Sequence, residues 1–122
     1  MSQRWEYNGK SFEVDLLDAD FAARYEEAYA KLGEMEKHLQ NVGMQSEILR
    51  DYCNMFETFF DTIYGEGTAA TLFEGKKHAG MCDLAYEAFI EAALRDLEET
   101  QKRSRSIKQR YQPRQKSGWR KS

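Results

Sequence analysis

Residues 46–64, SEILRDYCNMFETFFDTIY, carry a dense series of large apolar side chains. These side chains recur every three or four positions, which is the spacing of a helix face, and they are numerous enough to cover neighbouring faces too. They are Ile48, Leu49, Tyr52, Cys53, Met55, Phe56, Phe59, Phe60, Ile63 and Tyr64. So wide a stripe predicts the central, most buried helix of the fold, and Gly65 directly after it predicts the helix end.

The segments on both sides of this stretch predict two more amphipathic helices. The first starts near Asp18, a good N-cap residue, and Asp20 in its first turn complements the helix dipole; it stops at residues 41–43. Its apolar stripe is Phe21, Tyr25, Ala28, Tyr29, Leu32, Met35 and Leu39. The last helix spans roughly residues 78–100. Its stripe is Cys82, Ala85, Tyr86, Phe89, Ile90, Ala93 and Leu97.

A glycine-rich stretch, GEGTAATLFEG at residues 65–75, connects the second and the last helix. Thr68 is predicted to cap a single helical turn that ends at Phe73, with a glycine closing it. Gly65 and Gly67 are spaced as in phosphate-binding loops, but no Gly-Lys-Ser/Thr follows and a helix precedes them. We therefore interpret the stretch as a structural turn between two helices. The residues that form this turn are Gly65, Gly67, Thr68, Phe73 and Gly75.

The N-terminal residues 3–16 alternate apolar and polar side chains around an Asn-Gly pair. The apolar members are Trp5, Tyr7, Phe12, Val14 and Leu16. Asn8-Gly9 predicts a two-residue β-hairpin turn, because both positions of a type I′ turn need positive φ. A lone hairpin is only marginally stable, so we expect it to lie on the helices. The predicted fold is mainly α, with an N-terminal β-hairpin, three principal helices and one short helical turn.

The charges are strongly segregated along the chain. The first 101 residues hold nine Lys/Arg and all 21 Asp/Glu, whereas the last 21 residues hold nine Lys/Arg and no carboxylate. The formal net charge of −3 therefore joins a body of −12 to a segment of +9. We predict two units: an acidic helical domain over 1–101 and a basic, disordered tail over 102–122. No stop signal lies between Glu98 and Arg105, so the last helix either frays into the tail or extends to about Tyr111 when a partner is bound.

The basic tail is the predicted partner-binding segment. Its candidate contact residues are Lys102, Arg103, Arg105, Lys108, Arg110, Arg114 and Lys116. Three interpretations stay open: contact with nucleic acid, with Tyr111 or Trp119 stacking on bases; docking on an acidic protein, including another copy; or no specific target. The acidic body would repel a phosphate backbone, which favours a protein partner.

The sequence shows no pattern of catalytic or metal-binding residues. Only His38, His78, Cys53 and Cys82 offer nitrogen or sulfur ligands, and none pair at zinc-site spacing. Cys82 follows His78 by one helical turn, but both cysteines fit apolar helix faces, as expected of buried free thiols in a reducing cytoplasm. We expect no enzyme activity and no cofactor. The polar N-terminus and the lack of a long apolar run predict an intracellular, non-membrane protein.

Four segments together resemble a known group of proteins: NGKSFEVDLLDA (8–19), AARYEEA (22–28), FFDTIYGEGT (59–68) and LFEGK (72–76). Over about residues 7–97 the chain is similar to small proteins encoded in the tail modules of siphophages and prophages of Gram-positive bacteria. The resemblance implies a non-enzymatic tail assembly chaperone, acting in the host cell cytoplasm. Such a chaperone coats the long, helical tape measure protein until the tail tube polymerises around it.

The resemblance also bears on partners and on alternatives. It implies self-association in a multi-copy coat, and the basic tail could then bridge neighbouring acidic bodies in an open, head-to-tail array. A second hypothesis is a nucleic-acid-associated accessory protein that acts through residues 102–122. A third is a structural tail or virion component, which would stay in the mature particle.

Overall fold

The computed structural model describes residues 2–39 and 42–120, with side chains described as far as Arg110. Two strands are followed by four helices, so the predicted mainly α fold with an N-terminal hairpin is confirmed. The elements are β1 (Gln3–Tyr7), β2 (Lys10–Val14), α1 (Ala19–Lys37), α2 (Gln45–Tyr64), α3 (Thr68–Leu72) and α4 (Ala79–Arg120).

The hairpin has the predicted turn and register. Strands β1 and β2 pair antiparallel, with Trp5 opposite Phe12. Asn8 and Gly9 both have positive φ, 54° and 75°, as a type I′ turn requires. Trp5 and Val14 are buried, so the apolar face of the hairpin lies against the rest of the protein, as expected.

Aromatic contacts and hydrogen bonds fasten the hairpin to α2. Trp5 stacks on Phe12 across the strands, with ring centroids 4.7 Å apart. The indole Nε1–H of Trp5 donates to the hydroxyl oxygen of Tyr64 at 3.0 Å, and the Tyr64 hydroxyl donates to the carbonyl of Glu13 at 2.7 Å. Burial is the main reason that the pKa of Tyr64 is raised. This chain of donors satisfies polar atoms that packing removes from water.

Helix α2 is the central helix that its wide apolar stripe predicted. Its buried residues are Cys53, Met55, Phe56, Phe59, Phe60 and Ile63. The ring of Phe59 meets Tyr29 of α1 at 4.9 Å and Phe89 of α4 at 5.2 Å, both edge to face. The core is therefore an aromatic cluster that joins all the long helices, an arrangement favoured for ring pairs.

The start of α1 is as predicted, while the α3 cap is not. The carboxylate of Asp18 accepts from the Phe21 N–H at 2.9 Å, as an N-cap does. Thr68 was expected to cap α3, but it is the first helical residue and makes no cap bond. Instead, the Ala69 N–H donates to Oδ1 of Asp61 on α2 at 2.8 Å. A side chain from the preceding helix therefore replaces the local cap.

The other helix ends lie within a few residues of their predicted positions. Helix α1 ends at Lys37, before the predicted stop at residues 41–43, of which residue 41 lies outside the described residues. Helix α2 begins at Gln45 rather than Ser46. Helix ends of this kind depend on the cap and the neighbouring chain, which the apolar period does not record.

The C-terminal end of α4 differs from the prediction. The sequence predicted a helix end near residue 100, whereas the backbone continues as helix to Arg120. The predicted flexibility of the basic segment stays a prediction. The physical reason is that neither glycine nor proline occurs between Gly80 and Pro113, so nothing breaks the hydrogen-bond ladder there. Lys121 and Ser122 lie outside the described residues. The basic segment is thus carried on a helix that continues from the body.

A buried carboxylate ties α4 to the end of the hairpin. Asp96 is 1% exposed, and its Oδ2 accepts from the Leu16 N–H at 2.6 Å. Burial raises the pKa of Asp96 above its usual value, with a smaller contribution from the charge of Asp15, while the Leu16 hydrogen bond opposes the rise. The ionised carboxylate is therefore held in the fold at a cost that its hydrogen bond partly offsets.

Two substitutions at Asp96 separate its charge from its hydrogen bond. The carboxyl of Asp96 has a higher pKa in the folded protein than in the unfolded chain. Its ionisation therefore lowers the free energy of unfolding as pH rises from the unfolded-state pKa to the folded-state pKa. In Asp96→Asn the amide oxygen can still accept from the Leu16 N–H, but no carboxyl ionises. We therefore expect the free energy of unfolding of this variant, relative to the wild type, to rise between pH 3.5 and pH 7. Asp96→Ala leaves the Leu16 N–H unpaired and should cost about 1–3 kcal/mol at pH 7. Urea unfolding at the two pH values measures both effects; equal losses in both variants would contradict the assignment.

Candidate functional site

The candidate partner-binding residues lie on the exposed end of α4. Lys102, Arg103, Arg105, Lys108 and Arg110 are all exposed. At 100° per residue their positions spread around more than half of the helix, so they form a positive rod rather than one flat patch. Arg114 and Lys116 lie in α4 beyond the residues whose side chains the structure describes. The prediction that these side chains contact a partner stays a prediction.

The side of α4 that faces away from the core carries a mixed apolar and acidic stripe, here called the outer face. Its residues on the body are Leu84, Glu87, Glu91, Leu94 and Glu98, spaced alternately by three and four. Leu84 and Leu94 are 56% and 58% exposed. The same spacing continues through Gln101, Arg105 and Lys108. The outer face therefore changes from acidic to basic along one helix.

A second apolar surface lies where α1 ends and α2 begins. A cavity of about 290 Å³, here called the α1–α2 groove, is lined by Met35, His38, Leu39, Asp51 and Asn54. The connection between the two helices carries Val42 and Met44, which are 77% and 67% exposed. Methionine side chains adapt to differently shaped partners, so this end of the body suits apolar contact.

The glycine-rich turn has a structural role at the end of α2. Leu72 and Phe73 are both buried in the core. Gly67 has φ 92°, a conformation that a residue with a Cβ adopts only under strain. The carboxylate of Asp61 accepts the Ala69 N–H in the first turn of α3, so this N–H is paired within the chain. Gly65, Gly67, Thr68, Phe73 and Gly75 thus form a turn between helices, as interpreted from the sequence.

The Cys82–His78 pair lacks the setting of a reactive thiol. Cys53 and Cys82 are free and buried. Burial, and then the hydrogen bond with the Cys53 side chain, raise the pKa of Cys82 well above its ordinary value. A thiolate is therefore disfavoured at this position. Nδ1 of His78 accepts from the Met81 N–H at 3.3 Å rather than from the thiol.

Within residues 2–39 and 42–120, no group of three or more His, Cys, Asp or Glu is arranged to hold a metal ion. In that same part of the chain, no helix combines the length and the apolar character needed to cross a membrane.

Sequence reasoning missed both apolar surfaces. Val42 fell in a segment interpreted only as a helix stop, and the stripe assigned to the last helix did not include Leu84 or Leu94. A usable signal was present in each case. The signal is the two large apolar side chains in a short connection in the first case, and the leucines opposite the core stripe of an amphipathic helix in the second.

Comparison with known protein families gives a match over nearly the whole chain. A family model described as a family of unknown function, DUF6673, matches residues 8–122. The chain belongs to this family. The matched range starts at the hairpin turn and includes the basic end of α4, so the family pattern covers both the acidic body and the basic segment. Neither the curated proteins nor the solved structures give a significant match.

Proposed function

We propose that the protein is a non-enzymatic tail assembly chaperone of a phage or prophage, which binds the tape measure protein during tail assembly. The observation that carries the proposal is the apolar end of the body: the α1–α2 groove beside a connection with exposed Val42 and Met44. The resemblance of the hairpin and turn segments to siphophage tail-module proteins supports it.

The chemistry of this surface suits a helical partner. An amphipathic helix docks by placing apolar side chains, spaced by three and four residues, into a hydrophobic groove. Met35 and Leu39 supply the apolar wall of the groove, and Asp51 places a carboxylate at its edge. A partner helix with an apolar stripe flanked by basic residues would complement both features. The net charge of −12 on the body would keep many such copies soluble around one partner.

Negative charges introduced by substitution into the α1–α2 connection should weaken binding of the tape measure protein. Val42→Glu/Met44→Glu puts two carboxylates where apolar contact is expected, and we expect affinity for the tape measure protein of the same tail module to fall at least about tenfold. The matched control is Ala23→Glu/Ala30→Glu, which adds the same charge at exposed positions of α1. Co-purification and titration calorimetry measure the effect. No binding by the wild type, or equal binding by both variants, would contradict the proposal.

A second candidate is an accessory protein that binds nucleic acid through the end of α4. The exposed cluster of Lys102, Arg103, Arg105, Lys108 and Arg110 favours it. Replacing all five with Gln would then remove binding to duplex or single-stranded DNA, and wild-type affinity would fall steeply with salt. A structural tail component is a third candidate. It differs from a chaperone because it would be found in mature particles.

A further inference from the structure

The outer face of α4 is complementary in charge to itself when it is reversed. Its body half presents Glu87, Glu91 and Glu98, and its distal half presents Arg105 and Lys108. All five side chains are exposed, and Glu87, Glu91 and Glu98 make no ion pair with another described residue. Uncompensated charge of both signs on one exposed stripe is typical of a surface that meets a partner.

The two halves cannot neutralise each other within one chain. Both lie on the same continuous helix, with Glu91 and Arg105 separated by about 21 Å at 1.5 Å per residue. The continuous helix holds the basic half away from the acidic half of its own chain. The continuity of α4 therefore directs the basic half towards a second molecule.

We propose that two copies of this chain pair through the outer face of α4 as an antiparallel, twofold-symmetric dimer, with the axis near Glu98. In this arrangement Glu91 of one copy meets Arg105 of the other, because the two residues are equidistant from Glu98 along the helix. Glu87 meets Lys108 in nearly the same way. The two exposed Glu98 side chains face each other at the axis, where the surrounding water weakens their repulsion. Each contact occurs twice by symmetry, and closed twofold dimers of this kind are the commonest homo-oligomers.

The lengths and the apolar residues also fit a second copy. Measured from Glu98, the body half of α4 back to Ala79 and the distal half on to Arg120 are each roughly 30 Å long, so the two halves overlap almost fully when reversed. Leu94 is opposed by Lys102, which lies equally far from Glu98, and the aliphatic stem of that lysine would cover the exposed leucine. The equal lengths of the two halves favour this closed dimer over the open head-to-tail array that a flexible tail would form.

The dimer is tested in the full-length protein by reversing the charge of one half of the outer face and then of both halves together. Glu87→Lys/Glu91→Lys, and separately Arg105→Glu/Lys108→Glu, oppose like charges at every contact, and we expect each to weaken dimerisation at least about tenfold in low salt. Combining all four substitutions restores opposite charges and should restore the dimer. The matched control is Glu26→Lys/Glu36→Lys on the exposed side of α1. Sedimentation equilibrium measures the dimer dissociation constant, and circular dichroism verifies that each variant is folded.

A covalent probe locates the axis. Glu98→Cys should give a disulfide-linked dimer under mild oxidation, because the two copies of residue 98 lie close together, whereas Glu26→Cys should not. A wild type that is monomeric in low salt, a mass that keeps growing with concentration, or a folded four-substitution variant that stays monomeric would each overturn the proposal.

The dimer does not rest on the chaperone proposal, and the two fail in different experiments. The Val42→Glu/Met44→Glu variant should still dimerise, because its substitutions are on the α1–α2 connection. A variant that loses tape measure binding but still dimerises assigns that binding to the α1–α2 connection. A variant that loses the dimer but still binds the tape measure protein assigns dimerisation to the outer face of α4.

Discussion

Replacing Phe89 with alanine is expected to lower the free energy of unfolding by about 3–5 kcal/mol. Phe89 is fully buried and lies where the hairpin, α1, α2 and α4 meet. Its ring centroid is 6.0 Å from Trp5, 6.2 Å from Tyr25 and 5.2 Å from Phe59. Because these neighbours come from three different elements and Phe89 lies on a fourth, no single element can move in to fill the cavity without losing contacts elsewhere.

The measurement is urea unfolding, followed by circular dichroism in high salt, where the proposed dimer is weakened. This choice of salt matters because dimerisation would raise the apparent stability in a concentration-dependent way. The matched control is Ile107→Ala, also on α4 but 45% exposed, which should change stability by no more than about 0.5 kcal/mol. A loss below about 1 kcal/mol for Phe89→Ala would mean that the aromatic cluster is not packed as described.

The parts of the fold that local rules specify could be predicted from the sequence. Asn8-Gly9 requires two positive φ values, and both are present. Asp18 can reach the free N–H groups of the first turn of α1, and it does so. The stripe of α2 is apolar on neighbouring faces, and that helix is buried between the others. Each of these predictions depends on residues that are close together along the chain.

The parts that tertiary contacts decide could not be predicted in this way. The α3 cap comes from Asp61, one helix earlier, and the local rule that favoured Thr68 takes no account of it. The helix end predicted near residue 100 followed from the change in charge, whereas the helix continues there because neither glycine nor proline interrupts residues 81–112. Near residue 100 the change in composition indicated a helix end, whereas helix propensity favoured continuation of the helix.

The sequence predicted which residues of the basic segment would contact a partner, but not how those residues are arranged in space. The exposed cations from Lys102 to Arg110 were named from the charge pattern alone. Their relation to Glu87 and Glu91 depends on the continuity of α4, because only a continuous helix fixes the distance and direction between the two groups. The α1–α2 groove brings together residues of two helices, so it appears only once the helices are packed.

Replacing Trp5 with alanine should have an effect of similar size, about 3–5 kcal/mol, and it should act on the hairpin first. Trp5 is the main anchor of β1: it is buried, stacks on Phe12 and donates to the Tyr64 hydroxyl. A two-stranded hairpin is not stable alone, so losing this anchor should free both strands. Hydrogen exchange of the β1 and β2 amides should therefore increase more than that of the α2 amides.

Trp5→Phe separates the ring from its hydrogen bond and serves as the control. It keeps an aromatic ring against Phe12 and Phe89 and removes only the N–H donor and part of the ring volume. The Tyr64 hydroxyl still donates to the Glu13 carbonyl, so it is not left without a partner. We therefore expect Trp5→Phe to cost roughly 1–2 kcal/mol, well below the alanine variant. Equal losses in the two variants would assign the anchoring to the hydrogen bond, whereas unchanged hydrogen exchange in the alanine variant would show that other contacts hold the hairpin.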